Sequence, residues 1–134
     1  MDLQGRVAIV TGGGVRVGRA IALGLAGAGA DVFIHYNRSA GPAEATAEDA
    51  RSLGVRSAVG SVDLSDPTTS GELVALAEQA LGTPSILVNS ASGFPTDTVE
   101  DVTLDAWHRT LDLTLASPVF ATQAFAGALP VDLD

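Results

Sequence analysis

A glycine-rich junction placed directly after a short apolar run constrains this chain more than any other feature. Val7-Ala8-Ile9-Val10 has the pattern of a buried strand, and Thr11-Gly12-Gly13-Gly14-Val15-Arg16-Val17-Gly18 follows it at once. Val17, Ala20, Ile21, Gly24, Leu25 and Ala28 then recur at the spacing of one helix face, with Gly27 and Gly29 closing the segment. Glycines let the backbone turn tightly and let a ligand come close. The helix start adds unpaired N–H groups and a partial positive charge. The junction therefore predicts a phosphate-binding loop, with a plain glycine-rich turn as the alternative.

The alternation continues along the chain. Val32-Phe33-Ile34 reads as a second strand, and Ala43 to Leu53 as a polar, alanine-rich helix stopped by Gly54. Ser57 to Val62 reads as a third strand, weakened by Gly60. Asp66-Pro67 is a cap followed by a first-turn proline, opening a helix with Leu73, Leu76, Ala77, Ala80 and Leu81 on one face and Gly82 at its end. Ile86-Leu87-Val88 is a fourth strand. A long helix is predicted from its cap Thr103 to about Ala126, kinked or broken at Pro118. The stretch from Ala128 to Asp134 reads as the lead-in to a fifth strand. The strands are apolar throughout, which argues for a parallel sheet covered on both faces. The predicted fold is α/β, a Rossmann-type doubly wound sheet in the order 3-2-1-4, with Ile86-Leu87-Val88 as an apolar edge.

Composition narrows the function. The 134 residues suit one domain. Seven basic residues, all Arg, against sixteen acidic ones give a net charge of −9, which repels nucleic acid. The lack of Lys excludes lysine-dependent catalysis within the chain, and the lack of Cys excludes disulfides and Cys-ligated metal. His35 and His108 are too far apart in sequence to suggest a metal site. Neither a leader-like N-terminus nor a bilayer-length apolar run is present, so no membrane contact and a cytoplasmic location are expected. Ser92 lies outside any G-x-S-x-G setting and is not a nucleophile candidate.

The end of the second strand, His35-Tyr36-Asn37-Arg38-Ser39, lacks the acid that accepts ribose hydroxyls in NAD-binding units. Arg38 and Ser39 suit a 2′-phosphate instead, through a charge-assisted hydrogen bond and a hydroxyl. The expected cofactor is NADP(H).

The junction's spacing, T-G-x-x-x-R-x-G, resembles the T-G-x-x-x-G-x-G loop of the short-chain dehydrogenase/reductase family, with Arg16 at the middle glycine. That Arg variant, the His35-to-Ser39 segment, and Asn89-Ser90-Ala91-Ser92-Gly93-Phe94 resemble the pteridine reductase-like branch, whose corresponding stretch reads N-N-A-S-x-F. The resemblance implies cofactor-binding roles for Gly12, Gly14, Arg16, Val17 and Gly18, and for His35, Tyr36, Asn37, Arg38 and Ser39. It implies the same for Asp63 and Leu64 beside the adenine, and for Asn89, Ala91 and Ser92. Arg16, Ser92 and Phe94 would contact the substrate, a pterin or folate-like ring or a carbonyl compound, with Phe94 stacking on the ring.

The family's proton donor is a Tyr followed four residues later by a Lys. The only tyrosine here is Tyr36, in the 2′-phosphate segment. Thr114, within Leu113-Thr114-Leu115-Ala116-Ser117-Pro118, stands where the family has an Asn of its proton relay. Residues 1–134 are therefore expected to be an NADP(H)-binding Rossmann half-domain, a truncated reductase lacking its C-terminal catalytic half and inactive alone. A half-domain that binds without turnover is the alternative. A homo-oligomer, or association through the exposed sheet edge, is expected, with Trp107, Leu111 and Leu115 bare.

Overall fold

The computed structural model describes residues 1–130. Four parallel strands, β1 (Val7–Val10), β2 (Asp31–Tyr36), β3 (Ser57–Ser61) and β4 (Ile86–Val88), form one sheet in the order β3-β2-β1-β4. This is the predicted order. The register aligns Val10 with Ile34 and Val88, and Tyr36 with Ser61. All four strands thus end at one edge of the sheet, where open α/β sheets bind ligands.

Strand alternation sends side chains to two faces. Val10, Val32 and Ile34 pack on α1 (Arg16–Gly27) and α2 (Ala40–Ser52) through Ala22, Ala26, Ala43, Ala47 and Ala50. Ile9 and Phe33 face α3 (Ser70–Leu81) and α5 (Ser117–Ala128) through Leu73, Val74, Ala77 and Ala121. The alanines on the first face let the helices lie close to the strands. Phe33 is the largest fully buried side chain. Gly60, expected to weaken β3, makes room for it: a Cβ there would sit 2.5 Å from Phe33 Cζ.

Three local expectations are corrected. The second helix begins at Ala40 rather than Ala43, because Pro42 falls within its first turn, where no intrahelical N–H is needed. Asp66 accepts from the Thr68 N–H at 3.0 Å and so caps a single 3₁₀ turn, Pro67–Thr69, that leads into α3. The long helix is divided: α4 (Leu104–Leu111), capped by Thr103 Oγ1 on the Ala106 N–H at 3.1 Å, passes through a π-helical turn (Asp112–Ala116) into α5. The disturbance attributed to Pro118 therefore lies in the turn before it. A proline ring collides with the carbonyl four residues back, and widening that turn relieves the collision.

Among the described residues, β4 is a half-buried edge of the sheet, paired only with β1. Trp107, Leu111, Leu115, Val119 and Phe120 are exposed along α4, the π-helical turn and α5. Among the described residues, no helix is long and apolar enough to cross a membrane. Of the stretch read as a fifth-strand lead-in, residues 131–134 lie outside the described residues.

Candidate functional site

A cavity of about 300 Å³ opens at the C-terminal edge of the sheet. Each strand end contributes to its wall: Gly12, Gly14 and Val15 after β1, His35 to Ser39 at the end of β2, and Asp63, Leu64 and Ser65 after β3. Ala91 and Ser92 follow β4, and Leu113 comes from the π-helical turn. An adjoining cavity of about 180 Å³ shares Gly12, Val15 and Ser92, and adds Arg16, Val17, Gly18, Ser90 and Phe94. A third groove carries Phe94, Arg109, Leu113 and Thr114.

The loop between β1 and α1 has a shape that few sequences allow. Gly12 has φ +62°, and a Cβ there would meet Ala91 Cα at 3.0 Å. A Cβ on Gly18 would run into the Gly12 carbonyl oxygen, so only glycine lets the first turn of α1 close on the loop. Val15 caps α1 without a side-chain hydrogen bond, and no acidic residue occupies the helix's first turn. The first N–H groups of α1 therefore lack a side-chain acceptor, the arrangement that accepts an anion. Arg16 has φ +48°, a left-handed conformation that costs a non-glycine residue about 1–2 kcal/mol. Its guanidinium lies over the Phe94 ring, with Cζ 5.5 Å from the centroid, and Phe94 is 76% exposed. That cation–π contact offsets part of the strain.

Side chains beyond the predicted set hold the loop. Thr11, 1% exposed, accepts at Oγ1 from the Ser90 and Ala91 N–H groups, each at 2.9 Å, and so joins the ends of β1 and β4. Thr46 of α2 is fully buried and approaches both the Gly14 carbonyl (3.2 Å) and the Pro42 carbonyl (2.9 Å) through Oγ1. Arg19 donates to the same hydroxyl at 3.2 Å and pairs with Asp49. One signal could have revealed Thr46: it is the only polar member of the face made by Ala43, Thr46, Ala47 and Ala50.

The polar side chains fall into two groups. Arg38 and Ser39 are exposed on the cavity rim. Among the described residues Arg38 pairs with no carboxylate, and Ser39 starts α2 without using its hydroxyl as a cap. Asp63 accepts at Oδ1 from the Ser65 hydroxyl (2.6 Å) and the Ser65 N–H (3.0 Å). Those bonds hold its carboxyl below the usual carboxylate range, aided by the positive charges of Arg38 and Arg109. Its Oδ2 has no partner among the described residues. Three residues are engaged elsewhere. The buried His35 ring bonds the loop, and Asn89 Nδ2 reaches Thr122 Oγ1 on α5 at 3.3 Å, outside both cavities. The Thr114 hydroxyl donates back to the Thr110 carbonyl at 2.6 Å.

Residues 6–131 match the short chain dehydrogenase family. The chain belongs to that family. It is 36% identical over 124 residues to an L-rhamnose 1-dehydrogenase (NAD(P)(+)) of a Sphingomonas species, covering 92% of this chain and 49% of the relative. A short chain dehydrogenase of Burkholderia cenocepacia, solved in complex with NADP, superposes with a TM-score of 0.90 at 38% identity, covering 95% of this chain and 52% of that one. FolM alternative dihydrofolate reductase 1 of Brucella canis, complexed with NADP, gives 0.90 at 35% identity, over 100% of this chain and 54% of that one. The chain thus spans about half the length of the curated relatives it matches. Arg16 now has a structural context within the family: it keeps a backbone conformation suited to the glycine usual at that place in the loop.

Proposed function

We propose that this chain is the coenzyme-holding part of an NADPH-dependent oxidoreductase. The observation that carries the reading is Arg38 beside Ser39: among the described residues, an unpaired guanidinium and a hydroxyl not used as a cap, on the rim of a cavity whose β2 end bears no carboxylate. A carboxylate there would repel a 2′-phosphate, whereas this pair attracts one. The rest of the wall fits the same molecule. The unfilled N–H groups after Val15 suit the pyrophosphate, and the NADP-bound neighbours share the fold. Asp63 Oδ2 is an acceptor for the adenine amino group, with Leu64 and Leu113 as apolar walls. Tyr36, Asn37, Ala91 and Ser92 complete the enclosure.

Bound there, the reduced nicotinamide would supply hydride to the substrate. Arg16, Ser92 and Phe94 line the adjoining cavity, and the aromatic ring offers a stacking surface. With the FolM neighbour, this supports the pteridine reductase-like branch and a pterin or folate-like substrate. The L-rhamnose dehydrogenase relative supports a carbonyl compound as the second reading. Without Lys, and with Tyr36 as its one tyrosine at the coenzyme cavity, this chain by itself binds coenzyme without turning over substrate. The bare residues from Trp107 to Phe120 and the β4 edge favour association with a second copy, and a reductase drawing on NADPH suits the cytoplasm.

Fluorescence titration tests the reading. NADPH should bind more tightly than NADH, and Arg38→Ala should weaken NADPH by about 10–100-fold while leaving NADH unchanged, the worth of a hydrogen bond to a charged group. Equal affinity for the two coenzymes overturns it.

A further inference from the structure

Among the described residues, His35 is the one titratable side chain buried under the coenzyme loop, at 2% exposure. Its ring joins three strand ends. Nδ1 lies 3.1 Å from the Gly12 nitrogen, Nε2 lies 2.7 Å from the Val62 carbonyl oxygen, and the His35 carbonyl accepts from the Gly13 N–H at 3.1 Å. Residue 35 therefore fixes two successive loop amides, one with its ring and one with its backbone.

The chemistry of the partners fixes the ring's state. An amide N–H can only donate and a carbonyl can only accept. Nδ1 must therefore be the bare acceptor and Nε2 must carry the proton, which defines a single neutral tautomer. A second proton, on Nδ1, would set two donors against each other. The loop is tightly placed there, since a Cβ on Gly12 would lie 3.0 Å from Ala91 Cα.

We propose that His35 is a positioning residue for the coenzyme: its neutral Nδ1 holds the Gly12 amide in the binding conformation, and a proton at Nδ1 competes with coenzyme for the loop. This inference rests on the NADP(H) reading of the cavity.

Burial keeps the ring below its ordinary 6.5, against the opposing pull of the Val62 carbonyl. The surrounding elements carry few charges. Arg38 and Asp63 share the cavity wall, and Arg16 begins α1. Glu72 and Glu78 of α3 and Asp105, His108 and Arg109 of α4 are exposed, and Asp112 of the π-helical turn is half-buried. β1 and β3 bear no titratable group. No surrounding charge contributes to the shift in the ring, which comes from burial opposed by the Val62 carbonyl.

The test uses the ¹⁵N-labelled full chain without coenzyme, then with it. Imidazole-selective spectra should show protonated Nε2 and bare Nδ1 at neutral pH, with the Gly12 amide and the ring titrating together on acidification. A ring protonated at Nδ1 at neutral pH, or a Gly12 amide indifferent to the ring's titration, overturns the proposal without any variant. NADPH and NADH affinities are then measured against pH in the wild type and in His35→Gln, which keeps an acceptor but does not titrate. Taking the ratio of the two proteins cancels the coenzyme's own phosphate titration. The wild type should lose affinity relative to the variant by up to about tenfold per pH unit once the ring protonates. Binding that is present but equally pH-dependent in both proteins overturns this inference alone. Absence of binding at every pH overturns the coenzyme reading itself.

Discussion

The two sides of the sheet are built to different standards. Around β1 and β2 every strand residue from Val7 to Val10 and from Val32 to His35 is buried, and helices cover both faces. Along β4, α4 and α5 the strand is half-buried, α4 has no buried residue, and five large apolar side chains from Trp107 to Phe120 face outward. The first region carries the most deeply buried strands and contributes their ends to the cavity wall. The second exposes an apolar stripe from Trp107 to Phe120.

Substitutions in the two regions should separate these roles, and the largest effect belongs to the well-packed side. Phe33→Ala should cost about 3–5 kcal/mol in denaturant unfolding, because it empties the centre of one core. A cost below about 1 kcal/mol would mean that the β1–β2 side does not dominate stability. Next comes the loop between the regions. Arg16→Gly should stabilise the fold by relieving about 1–2 kcal/mol of left-handed strain, less what the Phe94 contact contributes. Calorimetry should show a higher Tm, and a lower one would mean the cation–π contact outweighs the strain.

The pH dependence of stability is the third measure. His35 protonates less readily in the fold than when unfolded, so the unfolded chain binds more protons as pH falls below about 6.5. Stability from this group is complete above that pH and declines as pH falls toward the ring's lowered value, with a slope of at most about 1.4 kcal/mol per pH unit. His35→Gln should flatten that window. The smallest change in unfolding is expected on the bare side. Leu115→Ser should move monomer stability by no more than about 0.5 kcal/mol, yet it should reduce self-association in light scattering. A large loss of stability with unchanged mass would make this face part of the monomer's own core.

The sequence carried most of the architecture because its signals are local. The apolar runs at Val7–Val10 and Ile86–Val88, the helix spacing after Arg16, and Gly82 at the end of α3 each act within a few residues. In the sequence the candidate site reads as a set of segments at strand ends, and one cavity gathers Gly12, Arg38, Asp63 and Ser92. What stayed hidden were the bonds between segments. His35 read as part of a phosphate-binding stretch, but its ring bonds Gly12 and Val62. Thr46 read as an ordinary helix residue, but it lies against the Gly14 carbonyl.

By itself, then, the sequence determined the alternating strands and helices of a parallel α/β sheet and the glycine turn, since periodicity and turn chemistry are properties of neighbouring residues. The strand order followed from the doubly wound fold those elements resemble. Only the tertiary structure decided which polar groups line the cavity and which brace it. A side chain's hydrogen-bond partners are set by the approach of strands 23 to 80 residues apart, and no local pattern encodes that distance.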